Sequence, residues 1–152
     1  MAISTEQLRL RLNADEPDYS SMARLGPAIV PQLMRLVQDR NQAVASAAAA
    51  VAGMIGGEQA MQVLARAARS RSSQVRTAAA GALRSVKAPA ASRLIAPLLK
   101  DSDKNVRKFA IKATAARKDP ALLAELDEIN ELDPEPAIRS LAANVLARSR
   151  GF

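Results

Sequence analysis

The stretch Ile95-Ala-Pro-Leu-Leu-Lys-Asp101-Ser-Asp-Lys-Asn-Val106-Arg-Lys-Phe-Ala110 repeats the pattern of Leu64-Ala-Arg-Ala-Ala-Arg-Ser70-Arg-Ser-Ser-Gln-Val75-Arg-Thr-Ala-Ala79, displaced by 31 residues. The displacement extends through the chain. Leu33, Leu64, Ile95 and Leu126 form one ladder at that spacing. Val44, Val75, Val106 and Ile138 form a second, and Leu36, Ala67, Leu98 and Ile129 a third. A fixed period of this length marks a solenoid, in which each unit buries its apolar face only against its neighbours.

Each unit reads as two helices. In the first full unit, Ile29, Val30, Leu33, Leu36 and Val37 lie at helical spacing, which predicts helix A over about Pro27 to Gln38. Asn41 caps a helix B through Val44, Ala47, Ala48, Val51 and Ile55, and Gly56-Gly57 ends it. The second unit caps helix B at Ser72 or Ser73. The third opens at Pro89, and the fourth at Asp119-Pro120, a cap followed by proline at the first helical position. Asp133-Pro134 is expected to start the last helix B. Pro31 and Pro97 fall inside helices A, where bends are expected. Ser4-x-x-Gln7 is a capping box opening a shortened N-terminal unit. The expected organisation is one domain over 1–152, with a degenerate cap at 1–26 and full repeats at 27–57, 58–88, 89–118 and 119–150.

Composition narrows the chemistry. Apolar residues make up 49% of the chain, much of it alanine, and aromatics only 2%, which suits close packing of helices through small side chains. Without Cys or His, neither a disulfide framework nor a zinc or haem site with those ligands can be built. The N-terminal residues lack the pattern of a signal peptide, and 43–57 is too short, too rich in alanine and interrupted by Ser46 and Gly53, so it is not read as a membrane span and a cytoplasmic protein with no membrane partner is expected. Charge is uneven: the formal net charge is +7, but residues 62–118 carry fourteen basic side chains against Asp101 and Asp103 alone.

The runs Asp101-x-x-x-x-Val106-Arg107-x-x-Ala110, Val75-Arg76-x-x-Ala79 and Ile138-Arg139-x-x-Ala142-Ala143 resemble the HEAT-repeat family in its short bacterial, phycobilisome-lyase-type form. The resemblance covers about residues 5 to 149. Ala45 departs from it, standing where the later units have arginine. The family implies an all-α, right-handed α-solenoid of antiparallel helix pairs whose B helices line the concave side.

Two readings attach to Arg76, Arg107 and Arg139. They form a row of guanidinium groups facing a partner's carboxylates or phosphates, or they pair with turn carboxylates such as Asp101 and stitch the repeats together, as the resemblance implies. Helical spacing puts Arg76 and Arg84 on the outer face of helix B of the second unit, with Lys108 and Lys112 on the equivalent face of the third. The alternative for this strip is a solvated coat. The acidic run Glu125, Asp127, Glu128, Glu131, Asp133 and Glu135 reads as a solvated helix face with its caps, the alternatives being a seat for Mg²⁺ or Ca²⁺, a surface for a basic partner, or a counter-charge to the basic centre of a neighbouring chain. Asp101-x-Asp103-x-Asn105 begins like an EF-hand loop, but Val106 and Lys112 occupy its glycine and bidentate glutamate positions.

No catalytic constellation, metal site or cofactor is expected: the sequence has no His base, no Cys nucleophile, no strained serine elbow and no P-loop. The expected function is therefore a non-catalytic adaptor or scaffold that binds a protein partner, through an acidic surface of that partner, on the concave B-helix face. Arg76, Arg84, Arg107, Lys108, Lys112 and Arg139 are its candidate contacts. The alternative is phosphate-driven, non-specific binding of nucleic acid through the same strip. Only Tyr19, Phe109 and Phe152 are available to stack on a base. A further alternative implied by the resemblance is an accessory role like that of the phycobilin lyases.

Overall fold

A computed structural model describes residues 2–151; Met1 and Phe152 lie outside the described residues. The described chain is an all-helical α-solenoid. Its elements are α1 (Thr5–Leu12), α2 (Tyr19–Ala23), a 3-10 turn (Gly26–Ile29), α3 (Val30–Leu36), α4 (Gln42–Ile55), α5 (Glu58–Ala68), α6 (Ser73–Leu83), α7 (Ala91–Leu98), α8 (Lys104–Ala115), α9 (Pro120–Leu132) and α10 (Pro136–Ser149). From α3 onward the helices form four antiparallel pairs. The odd members make one row and the even members, the B helices, another.

Local chemistry sets most of the boundaries. Side chains of Ser4, Asn41, Ser72, Asp103 and Asp119 accept hydrogen bonds from the first free N–H groups of their helices. Ser4 and Gln7 complete the capping box. Helix α4 ends, and α5 begins, at Gly56 and Gly57, with φ of 72° and 88°. A side chain at either position would be strained, so two glycines are required in succession.

Three expected boundaries move. The first helix A is split, because the 3-10 turn precedes α3. Pro31 then sits in the first turn of α3, where its missing N–H costs no helical bond, so it is not an interior proline. Pro97 does lie inside its helix, one residue before the end of α7. The third pair opens at Ala91, after a turn at Pro89. The last helix B starts at Pro136 with Glu135 at its cap, because the Asp133 carboxylate is engaged elsewhere.

The ladders are the core. Leu33, Leu64, Ile95 and Leu126 are each 0% exposed, and every residue of the other two ladders is buried. The B helices pack more closely on one another than the A helices do. The closer-packed row, α4, α6, α8 and α10, is the one that the resemblance noted above places on the inner side of such a stack. Small side chains permit the close packing. Ala45, Ala47, Ala48, Ala49 and Ala52 of α4 are all buried. A Cβ added at Gly53 would lie 2.8 Å from the Cβ of Ala82 on α6, so these helices touch nearly backbone to backbone.

Candidate partner-binding surface

The arginine that follows Val75 and Val106 of the second ladder has a defined task. Arg76, on the first turn of α6, forks the carboxylate of Asp101 in the next unit through Nε (2.8 Å) and Nη2 (3.1 Å), and its Nη1 donates to the Ser70 carbonyl of its own unit. Arg107 on α8 repeats this: Nε and Nη2 donate to Asp133 at 2.8 and 3.1 Å, and Nη1 to the Asp101 carbonyl. Both carboxylates also accept a backbone N–H two residues on, from Asp103 and Glu135. Each arginine therefore ties its own turn to the next one, and the pairs are largely withdrawn from water. Arg9 of α1 makes an analogous fork to Asp39, at 2.7 and 3.1 Å.

Arg139 holds the Asp133 carbonyl through Nη1 at 2.6 Å, and its Nε and Nη2 have no partner among the described residues. Of the three arginines in this slot, Arg76 and Arg107 are thus committed inside the stack, and the Nε–Nη2 fork of Arg139 has no partner among the described residues. Asp133 is not part of a solvated acidic face. It is buried beneath Arg107. Glu125 pairs with Lys100 at 3.3 Å, and Asp127 with Arg150 at 2.7 Å.

These contacts make the fold sensitive to acid. Asp39 is held below the ordinary carboxyl range chiefly by its hydrogen bond from Arg9. At Asp101 burial is the largest single influence and pushes upward, but the Arg76 hydrogen bond, the Asp103 N–H and the charges of Arg76 and Arg107 together outweigh it and leave the carboxyl lowered. A lowered carboxyl contributes stability that is complete above its unfolded value, about pH 4, and is lost as pH falls through the folded one. Thermal unfolding followed by circular dichroism should give a flat midpoint from about pH 7 to 5 and a steep fall below about pH 4. Asp101→Asn should remove part of that fall, and a decline already under way near neutrality would contradict the assignment.

The remaining candidates lie on the inner row. Arg84 and Lys108 are exposed and have no acidic partner among the described residues. Lys112 is half-buried, with Nζ 5.2 Å from the centre of the Phe109 ring, a cation–π contact that holds it near the surface of α8. Phe109 in turn lies 3.7 Å from where a Cβ would stand on Gly81. Beside it, Ala50, Gly53, Met54, Ala78, Gly81 and Ala82 floor a shallow groove of about 330 Å³ between α4 and α6, bordered by Tyr19. Sequence reasoning found the lysines and arginine but missed this floor. Its signal was two glycines, Gly53 and Gly81, placed inside helices where nothing local requires them.

No three potential metal-ligating side chains gather among the described residues, and no described helix is long and apolar enough to cross a membrane. Residues 20–84 and 65–147 each match the family model of HEAT repeats. No curated protein matches the chain. Among solved structures, the chain is similar to the complex of CpcE and CpcF of phycocyanin lyase from Nostoc sp., with a TM-score of 0.77, 21% identity, and coverage of 93% of this chain and 96% of that one. It is similar to human deoxyhypusine hydroxylase with a TM-score of 0.70 and 20% identity, 97% of this chain matching 62% of that one. A designed armadillo repeat protein in complex with the peptide (KR)4 gives a TM-score of 0.58 at 14% identity, covering 95% of this chain and 81% of that one. At these identities the likeness concerns the fold.

Proposed function

The chain belongs to the HEAT-repeat family, and from that premise we propose that it is a non-catalytic adaptor or scaffold that holds an acidic protein surface against its inner row of B helices. The observation that carries this reading is a small-residue floor on α4 and α6 together with the cations Arg84, Lys108 and Lys112 on α6 and α8, which have no acidic partner among the described residues. An apolar floor excludes water, while a charged rim steers and orients the partner. Arg139 adds the Nε and Nη2 donors of its fork at the end of the same row. Arg76 and Arg107 contribute by fixing the spacing of the B helices.

The test is affinity capture from the native host with the wild-type chain and with the triple variant Arg84→Glu, Lys108→Glu, Lys112→Glu. A specific partner should be recovered by the wild type, and its affinity for the variant should fall at least about tenfold, more at low salt. Glu128→Lys, on the outer row, should leave that affinity unchanged or raise it slightly. Capture indifferent to the triple reversal overturns the reading. Tight, steeply salt-dependent binding of random-sequence duplex by the same residues would favour nucleic acid instead. The likeness to the phycocyanin lyase complex supports one second reading, an accessory role in cofactor assembly. A pigment absorbing in the visible in protein purified from its own host would favour it.

A further inference from the structure

The arginine forks run along one edge of the stack and skip a single joint. Between the first and second full units the arginine position is Ala45 and the carboxylate position is Ser70. Their separation of 25 residues is that of Arg76 and Asp101, so both members of one rung are missing together. Ser70 keeps the turn-forming half of the role, its Oγ accepting the Ser72 N–H at 3.1 Å, but it brings no charge.

Where the rung is absent there is a cleft. Ala45 and Ser70 line a notch of about 280 Å³ together with Arg40, Arg71 and Asp39, whose carboxylate is already held by Arg9. It shares Val37, Gln38, Ser70 and Arg71 with a larger cleft of about 660 Å³ between α3 and α5, lined also by Arg66 and Arg69. Arg40, Arg66, Arg69 and Arg71 are all exposed, and none has an ion-pair or side-chain hydrogen-bond partner among the described residues. The corresponding cleft between the last two units differs in sign. It contains the Arg107–Asp133 rung, and Glu128 stands at the position equivalent to Arg66. Four guanidinium groups around a site that lacks the fork-position carboxylate, its one lining acid Asp39 being neutralised by Arg9, form an anion-selective surface.

We propose that this cleft is a seat for carboxylates of an acidic polypeptide segment, which supplies from outside the anion that Asp101 and Asp133 supply at the next two joints. The notch is large enough to admit a carboxylate side chain. Val37 and Ala45 give an apolar wall for the stem of a glutamate, and no aromatic residue lines either cleft to stack on a base, which favours polypeptide over nucleic acid. The partner's acidity is taken from the function proposed above, but the seat is a different surface from the B-helix row and can fail or stand independently of it.

Octaglutamate peptide is the probe, titrated at low salt into the purified chain. The decisive variant is Ala45→Arg with Ser70→Asp, which restores the rung and leaves net charge unchanged. Wild type should bind, and the restored variant should bind at least about tenfold more weakly. Should that variant not fold cooperatively, Arg66→Gln, Arg69→Gln and Arg71→Gln at exposed positions should produce a loss of the same size. The Arg84, Lys108, Lys112 reversal, measured alongside, reports on the inner row and not on this seat. Equal binding by wild type and the variants overturns the proposal. It is also overturned if the rung-sensitive ligand proves to be random-sequence duplex in preference to octaglutamate, or a second copy of this chain, seen as self-association that the restored rung abolishes.

Discussion

Asp133→Ala should lower the stability of the fold by about 3 kcal/mol in chemical denaturation, because breaking one side of a buried pair strands the other charge. The Asp133 side chain is 3% exposed and that of Arg107 11%, so water cannot replace the lost fork without rearrangement. The Glu135 N–H loses its acceptor at the same time. The size of this loss reflects a stranded cation more than the net worth of the pair. The double variant Arg107→Ala, Asp133→Ser should therefore be no less stable than Asp133→Ala alone, and the two sites should be strongly coupled in a double-mutant cycle. The chain already contains this double replacement at Ala45 and Ser70, where the neighbouring helices pack without a rung. Additive losses would show that the fork is not a unit.

Ile95→Ala should cost about 2–5 kcal/mol, the range for a large-to-small change in a core that cannot collapse onto the space. Ile95 is fully buried on α7, in the ladder that joins the four pairs. In a stack each unit is stabilised by its neighbours, so a hole in the third unit weakens the interfaces on both sides. A change below about 0.5 kcal/mol would mean that the ladder does not form the core.

The ladders could be read from sequence because burial imposes a period, and every position in them is buried as that period requires. The caps at Ser4, Asn41, Ser72 and Asp119 were legible for a similar reason: each depends on residues two or three apart. Long-range polar contacts were legible only in part: pairing of the arginine slot with turn carboxylates such as Asp101 was one of two readings, and the fork from Arg76 bears it out, but the partner of Arg107 was not foreseen. Arg107 and Asp133 lie 26 residues apart, and only the stacking distance between units decides whether they meet or face solvent. Asp133 was consequently grouped with the acidic run of α9, and the start of α10 was placed too early. The absence of arginine at position 45 was visible. Its meaning depended on Ser70, whose role emerges only once the Arg76–Asp101 fork has been seen.

The close contact of Gly53 with Ala82 gives the first joint a different kind of adhesion from the two that follow. It relies on apolar contact between helix backbones, whereas the later joints add ionic forks. The cost of desolvating ions falls as temperature rises, so the forked joints gain on the first one in the heat. Heating should therefore open the stack first between its first two units and leave the later joints seated. Amide hydrogen exchange at temperatures approaching the unfolding midpoint would show this as early exposure along α4 and the facing side of α6.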